Sequence, residues 1–228
     1  MNYKILTGSA LKLIAIVSMT IDHTAVYLTS YQDLFDMPAF TFHDNEVTWF
    51  FLMRCVGRLA YPLFAFLIVE GFIHTRNRRR YGWNLFICAL ISEIPWVLIH
   101  NGFHLLSHNV IFTLLWGYLG LCAIERWRND RRLLGLLLVG MLAMAFIFRP
   151  DYNGSGFAFI IMLYVLRRHP ALQTVLGCCM LRSKWIAGLA FIPINMYNGQ
   201  RGFIRGQVGK YLFYAFYPVH LFFFWLIS

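Results

Sequence analysis

Charged residues are scarce in this sequence, and acidic residues are the scarcest of them. Asp, Glu, Lys and Arg make up 13% of the 228 residues, while hydrophobic residues make up 59%. About a quarter of a typical soluble domain is charged. The apolar residues form long blocks separated by short basic clusters. This distribution excludes an ordinary soluble domain and predicts an all-α, polytopic transmembrane helical bundle.

Cysteine pairs with metal-binding spacing are also missing. The sequence has five cysteines and no C-x-x-C motif, and a reduced cysteine in an apolar block behaves as a small hydrophobic residue. We therefore expect neither a disulfide framework nor a structural metal. His100, His104 and His108 have a metal-like spacing, but their loop contains no acidic residue, so we expect no metal there either.

No low-complexity linker interrupts the chain, so residues 1–228 are predicted to form a single integral-membrane domain. At about 20 residues for each crossing, this length accommodates about eight to ten transmembrane helices. We favour nine crossings with a short seventh helix over 171–181. The start resembles a signal peptide, but no small-x-small cleavage site is evident where the first apolar run ends, which predicts a retained first span.

The net charge of +10 comes mainly from basic clusters between the apolar blocks. Arginines follow the second, fourth and sixth predicted spans, over about 49–74, 109–124 and 156–166, whereas the loops after the first and third spans, over about 9–30 and 81–99, are acidic or neutral. The positive-inside rule therefore places the N-terminus, Arg76–Arg80 and Arg126–Arg132 in the cytoplasm and the Asp33–Glu46 loop outside. Because topology explains these charges, we expect a lipid bilayer and no nucleic acid as partner.

Three ionisable residues lie in the first apolar run, from Ala10 to Leu28. They are Lys12, Asp22 and His23. Eleven residues make almost three helical turns, so Lys12 and His23 share a helix face, roughly 16 Å apart along the axis. An ionisable group within a membrane indicates a functional site. The alternative is that Lys12 reaches the headgroups and the Asp-His pair lies half-hydrated at the outer end of the span.

Further polar residues fall in later spans. Arg54 and Arg58 are four residues apart and share a helix face. Glu70, Glu93 and His220 also lie in apolar blocks. Each of these residues also has a purely structural interpretation. Glu93 could be the counter-ion of an arginine, since buried charges usually pair. The two arginines could reach the headgroups from a helix end, and His220 could be hydrogen-bonded between packed helices.

Five stretches carry a family resemblance, and they are LKLIAIVSMTIDHTAVYL, GRLAYPLFAFLIVEGFIHTRN, NVIFTLLWG, DYNGSGFAFIIML and KYLFYAFYPVHLFFFWL. In this order they resemble the TraX family, over about Leu11 to Leu226. That family consists of integral-membrane proteins linked to N-terminal acetylation of conjugative pilin. It looks related to membrane acyltransferases that use acyl-CoA. Many of those have Arg-x10-His in the first span, where this sequence has Lys12 and His23.

The resemblance implies an acetyltransferase of the bacterial inner membrane that takes its acyl group from acetyl-CoA on the cytoplasmic side. The acceptor would be an amine or a hydroxyl, such as a pilin N-terminus, a glycan or a small amine. Histidine suits general-base work near neutral pH, so His23 is predicted as the base. Asp22 is predicted to orient the site, although adjacent helical residues point about 100° apart, which favours a contact of Asp22 with another helix.

The donor phosphates need cationic partners, and we assign this role to Lys12, Arg54 and Arg58. These cations should face an internal cavity that opens toward the cytoplasm and that His23 also lines. The aligned blocks further imply a group of substrate-contacting or supporting residues: Glu70, Glu93, Asn109, Asp151, Tyr217 and His220. The competing interpretations are a transporter or channel that uses the intramembrane groups as a proton or ion relay, and an assembly scaffold with purely structural charges.

Overall fold

The computed structural model describes residues 4–43, 45–100, 102, 108–148, 151–204 and 206–227, except for the side chains of residues 183 and 184. His104 lies outside these residues. The chain divides into two compact units, one formed by residues 1–64 and 181–228 and the other by residues 65–180. The first unit therefore combines both ends of the chain. The prediction of a single domain stays a prediction.

The first unit is built on three helices, α1 (Gly8–Tyr27), α3 (Trp49–Gly57) and α11 (Gly206–Ile227). α1 packs against both α3 and α11. The remaining elements are shorter: a 3₁₀ turn (Thr29–Tyr31), α2 (Gln32–Phe35), β1 (Pro38–Phe42), β2 (Asn45–Thr48), the start of α4 (Ala60–His74), a 3₁₀ helix (Arg182–Ala190) and α10 (Phe191–Asn195). β1 and β2 form an antiparallel hairpin inside the acidic loop that the sequence predicted.

The start of α1 is closed by a segment from the other end of the chain. Thr7 is the N-cap residue, and its side chain accepts a hydrogen bond from the backbone N–H of Ala10. The N–H groups of Gly8 and Ser9 donate to the carbonyl oxygens of Gln200 and Arg201 at 2.8 and 2.9 Å. These bonds satisfy donors that the first turn of a helix leaves without partners, and they hold the N-terminal helix in the first unit.

The second unit consists of the rest of α4 and five further helices: α5 (Arg78–Ile99), α6 (Val110–Arg126), α7 (Arg131–Phe148), α8 (Asn153–Val165) and α9 (Pro170–Met180). α6 is central, because it packs against α5, α7 and α8. Gly117 and Gly120 lie where side chains of α8 approach, and a Cβ at either position would overlap Ile160 or Phe157. Small residues at helix contacts allow this close approach in membrane proteins.

The helices confirm an all-α, polytopic membrane protein. Five segments of the described chain are long and apolar enough to cross a bilayer: Gly8–Tyr27, Trp49–His74, Arg78–Ile99, Arg131–Phe148 and Gly206–Ile227. Shorter apolar helices cover Asn153–Val165, Pro170–Met180 and Trp185–Asn195. The count of eight to ten crossings depends on these short helices and stays a prediction, as does the cytoplasmic N-terminus.

The second predicted span is not one regular helix. It is divided into α3 and α4, and the break falls at Arg58 and Leu59. Leu59 and Pro62 bracket the start of α4, and proline is tolerated in the first turn of a helix because its missing N–H has no partner there in any case. The break places Arg54 and Gly57 at the end of α3, next to α1.

Candidate active site

Helices α1 and α11 bring two histidines together in the first unit. Nδ1 of His23 lies 2.6 Å from Nε2 of His220. Their rings are inclined by only 6°, with centroids 4.8 Å apart. His220 is 8% exposed. The expectation of a hydrogen-bonded His220 between packed helices is therefore met, and its partner is the predicted base.

A chain of hydrogen bonds assigns the protons of the two imidazoles. Nδ1 of His220 lies 3.0 Å from the carbonyl oxygen of Phe216, and a carbonyl oxygen only accepts. In neutral His220 the proton therefore resides on Nδ1, and Nε2 accepts the hydrogen bond that Nδ1–H of His23 donates. The same logic leaves the lone pair of neutral His23 on its Nε2.

Aromatic side chains surround this pair. The ring of Tyr27 meets His23 edge-on with centroids 5.2 Å apart, and Phe216 stacks on His220 at 5.1 Å. Tyr217, one of the predicted supporting residues, is buried and lies 6.5 Å from the ring of His23 and 5.5 Å from that of His220. These apolar surroundings lower the local dielectric and strengthen the hydrogen bond between the imidazoles.

A groove of about 450 Å³ adjoins the pair on the surface of α1 and α11. Its polar lining residues are Thr20, Thr24 and His220, and the others are apolar. The two threonine hydroxyls donate to carbonyl oxygens of their own helix, so the groove is mostly apolar. Lys12 is not among the lining residues, and a cavity shared by Lys12 and His23 stays a prediction.

Asp22 contacts a neighbouring helix, as the helical geometry favoured. An oxygen of its carboxylate lies 2.6 Å from Nη1 of Arg54 on α3. Gly57, one turn further along α3, faces the same carboxylate so closely that a Cβ there would collide with it. The ion pair fixes α1 against α3, and it engages the Arg54 guanidinium that the sequence assigned to donor phosphates.

The other two predicted donor-binding cations have no acidic partner in the described part of the chain. The Lys12 ammonium lies 4.8 Å from the centre of the Phe213 ring on α11, and the neighbouring charge that acts on it is the like charge of Arg201. Arg58 follows directly after α3 and is partly exposed. Charges in an apolar setting usually pair, so both cations are suited to an anionic ligand.

The partner of Glu93 is a histidine and not the arginine that was the structural alternative. Glu93 Oε1 lies 2.7 Å from Nδ1 of His108, while Glu93 Oε2 accepts a 2.5 Å hydrogen bond from the side-chain amide of Asn109. The backbone N–H of Asp151 donates to the carbonyl oxygen of His108. The predicted residues Glu93, Asn109 and Asp151 thus form a cluster within the second unit, and their role as substrate-contacting or supporting residues stays a prediction.

Glu70 was also predicted as a substrate-contacting or supporting residue. It lies in the part of α4 that belongs to the second unit. Its carboxylate lies 3.5 Å from Nδ1 of His74, one helical turn further on. Ion pairs of this spacing stabilise helices by a few tenths of a kcal/mol. A functional role for Glu70 stays a prediction.

Comparison with known proteins decides the family. The sequence model of the TraX protein family matches residues 7–228, nearly the whole chain. The chain belongs to the TraX family. The resemblance of the five sequence stretches is thereby confirmed, and His23, Asp22, Lys12 and His220 all lie in the matched region.

Two curated relatives agree with this membership. The chain is 29% identical over 245 aligned residues to the "Probable fimbrial assembly protein FimC, serogroup H1" of Dichelobacter nodosus, with 92% of this chain and 91% of that protein covered. It is also 29% identical over 120 residues to the "Uncharacterized protein RP591" of Rickettsia prowazekii, which covers 53% of this chain and 37% of that protein. No solved structure matches the chain.

One residue of these polar clusters, His108, was not identified from the sequence. His108 was considered only as part of a metal-like histidine trio, yet in the structure it is the hydrogen-bond partner of Glu93. The sequence nevertheless contained a signal for the pairing of His108 with Glu93. Glu93 lies in an apolar helix and needs a partner, and His108 follows across a single loop, directly before Asn109, which is the N-cap of α6.

Proposed function

We propose that this chain is a membrane-embedded acetyltransferase that moves an acetyl group from acetyl-CoA to an amine or hydroxyl acceptor. The observation that supports this most directly is the His23–His220 pair. A histidine whose Nδ1–H is held by a fixed acceptor presents a lone pair on Nε2, which is the arrangement that a general base requires. The match to a fimbrial assembly protein favours a fimbrial subunit as acceptor.

In the proposed transfer, His23 first accepts a proton and later donates it. His23 Nε2 takes a proton from the acceptor's nitrogen or oxygen as that atom attacks the carbonyl carbon of the thioester. The carbon–sulfur bond then breaks, and the proton returns from His23 to the departing thiolate. His220 accepts the hydrogen bond of His23 Nδ1 throughout, which stabilises the transient positive charge on His23.

The donor is proposed to be held through its phosphates. Lys12 and Arg58 are cations without an acidic partner in the described residues, and charge-assisted hydrogen bonds to phosphate are strong. Arg54 is engaged by Asp22, so we assign it mainly to holding α3 and Asp22 in place. Lys12 lies near the start of α1 and His23 near its end, so a slender pantetheine arm has a helix face to follow between them. The location would be the bacterial inner membrane.

The direct test is transfer of labelled acetyl from acetyl-CoA to a peptide copy of the N-terminus of a fimbrial subunit from the same cells. The purified protein in detergent or proteoliposomes should acetylate the peptide at its α-amino group, as read by mass spectrometry. A protein without any acetyl-CoA binding, hydrolysis or transfer, with intact folding, would contradict the proposal and favour a transporter or scaffold.

A further inference from the structure

The second unit contains a built carboxylate–imidazole dyad that the proposed transfer step does not use. Nδ1 of His108 lies 2.7 Å from Glu93 Oε1. Glu93 Oε2 accepts from the side-chain amide and the backbone N–H of Asn109, at 2.5 and 3.3 Å. A carboxylate that accepts three hydrogen bonds is fixed in position.

Asn109 anchors this dyad to two helices. The residue is completely buried, and its amide group also donates to the carbonyl oxygen of Ala89 on α5 at 3.0 Å. Its side-chain oxygen caps α6 by accepting from the N–H of Ile111. The bonds of Asn109 therefore connect α5 to α6 without His108, so His108 is not required for that connection.

The orientation of His108 is that of a proton acceptor. A carboxylate can only accept from Nδ1, so the proton of neutral His108 resides on Nδ1 and the lone pair on Nε2. Its side chain is 22% exposed and that of Glu93 is 15% exposed, so the imidazole is partly accessible. The groups that face it are Glu93 from α5, the ring of Phe112 from α6, and Asp151, whose backbone N–H donates to the His108 carbonyl oxygen.

The surrounding charge selects the kind of ligand. The sequence has no Lys or Arg between Arg80 and Arg126, whereas Glu93 and Asp151 are acidic. Among the described residues, the groups that contact His108 include no cation, and an ammonium would find there both the Glu93 carboxylate and a lone-pair acceptor. The loop that contains His108 is also the one that the positive-inside rule assigns to the outer face, which is where a fimbrial acceptor would arrive.

We infer that His108, held by Glu93, binds the α-ammonium group of the acceptor and removes its proton. This inference rests on the proposed function for the identity of the substrate. In the step, the ammonium R–NH₃⁺ gives one proton to Nε2 of His108 and becomes the neutral amine R–NH₂. The positive charge moves to the imidazolium, beside the Glu93 carboxylate, and the proton then passes to water. Only the neutral amine is a nucleophile, so this step precedes attack on the thioester.

His108→Asn is the variant of choice, because the asparagine amide occupies the place of Nδ1–H and keeps a donor for Glu93 while Nε2 is lost. His100→Asn is the matched control, since His100 lies at the end of α5 with its Nδ1 2.8 Å from the carbonyl oxygen of Trp96. Thermal unfolding of both variants is measured first. His108→Gln replaces His108→Asn if the latter is destabilised.

The first arm compares acetyl transfer to the peptide at pH 7 and pH 9. An α-amino group titrates near 7.7–8.0, so it is mainly an ammonium at pH 7 and mainly neutral at pH 9. Because about a sixth to a tenth of such an amine is neutral at pH 7, we expect His108→Asn to slow transfer by about sixfold to tenfold at pH 7 and by less than twofold at pH 9, with His100→Asn unaffected at both. A defect of equal size at both pH values, or no defect, would overturn the inference.

The second arm measures binding of the peptide and of its N-acetylated copy at pH 7, without acetyl-CoA. The wild-type protein should bind the free amine more tightly than the acetylated copy, and His108→Asn should abolish that difference. Equal discrimination by both proteins would overturn the inference. This arm does not depend on catalysis: a wild-type protein that transfers no acetyl contradicts the proposed function, while the binding comparison still decides on His108.

Discussion

In the proposed acetyl transfer, the imidazoles of His23 and His220 have different roles. His23 has its lone pair on Nε2 because His220 accepts from its Nδ1, and His220 is in turn fixed by the Phe216 carbonyl oxygen. His220 is thus a positioning residue in the proposed mechanism. The sequence showed both histidines and the Asp22–His23 pair, but the contact between residues 197 positions apart depends on the packing of α1 against α11.

Replacement of His220 should weaken catalysis without abolishing it. In His220→Ala, His23 keeps its basic nitrogen but loses the acceptor that holds its tautomer and stabilises its charge. A hydrogen bond to a charged group contributes about 1.5–3 kcal/mol, so transfer should slow by about tenfold to a hundredfold while acetyl-CoA binding is retained. His74→Ala, which alters an exposed histidine, is the control. An unchanged transfer rate in His220→Ala would contradict the positioning role.

Replacement of Lys12 or Arg58 should affect the donor. Each variant with alanine removes a cation that has no acidic partner in the described residues, so the affinity for CoA should fall by about tenfold or more while thermal stability changes little. The affinity of the wild-type protein should also fall with added salt. Lys4→Ala removes an exposed charge near the same helix and serves as the control. Equal CoA affinities in all four proteins would refute the assignment.

Secondary-structure elements explain why the site forms where it does. α1 is held from two sides, by the Asp22–Arg54 ion pair with α3 and by the histidine pair with α11. The break between α3 and α4 ends α3 at Gly57, whose missing side chain makes room for Asp22. The hydropathy of the sequence located the span over Trp49–His74, but hydropathy alone did not show that α3 ends at Gly57.

Gly57→Ala tests this contact between elements. The added Cβ would collide with the Asp22 carboxylate and separate it from Arg54. Overpacking of a close contact typically costs about 1–3 kcal/mol, so we expect a clear fall in the unfolding temperature. Gly135→Ala on α7 is the matched control, since nothing lies within 4 Å of its added Cβ. That control should be neutral or slightly stabilising, and a neutral Gly57→Ala would contradict the described packing.

At the scale of the whole molecule, the sequence predicted the fold class well and the details unevenly. Long apolar blocks and clustered arginines were enough for an all-α membrane protein, and the ordered stretches were enough for the TraX family. The hairpin of Pro38–Phe42 and Asn45–Thr48 was not predicted, because its strands are only five and four residues long and mostly exposed. The block Trp185–Tyr197 became a 3₁₀ helix followed by α10, which no periodicity in the sequence indicated.

The polar clusters show the same limit. Glu93, Asn109 and Asp151 were named from the family resemblance, and His108 was set aside as one of three loop histidines. The metal-like spacing of the three histidines does not show which of them pairs with Glu93, whereas the position of His108 directly before the N-cap residue Asn109 was a usable signal. Partners of buried charges are determined by tertiary packing, whereas the presence of the charges is visible in the sequence.

Topology is a further property of the whole molecule that is open to measurement. Single cysteines placed in a cysteine-free variant should react with a membrane-impermeant maleimide from outside in the Asp33–Glu46 loop, and only from the cytoplasmic side in Arg76–Arg80. All five native cysteines are free thiols and must be replaced first. Labelling of the Asp33–Glu46 loop only from the cytoplasmic side would reverse the predicted orientation.

The central claim is that His23 is the base of an acetyl transfer. Its most direct test is a single-turnover measurement of acetyl transfer to the acceptor peptide by His23→Ala and by the wild-type protein, with CoA binding measured in parallel. Removal of a general base costs about 10²–10⁴ in rate. The account predicts a loss of this size with unchanged folding and CoA affinity. A folded His23→Ala variant that transfers acetyl at the wild-type rate would contradict it.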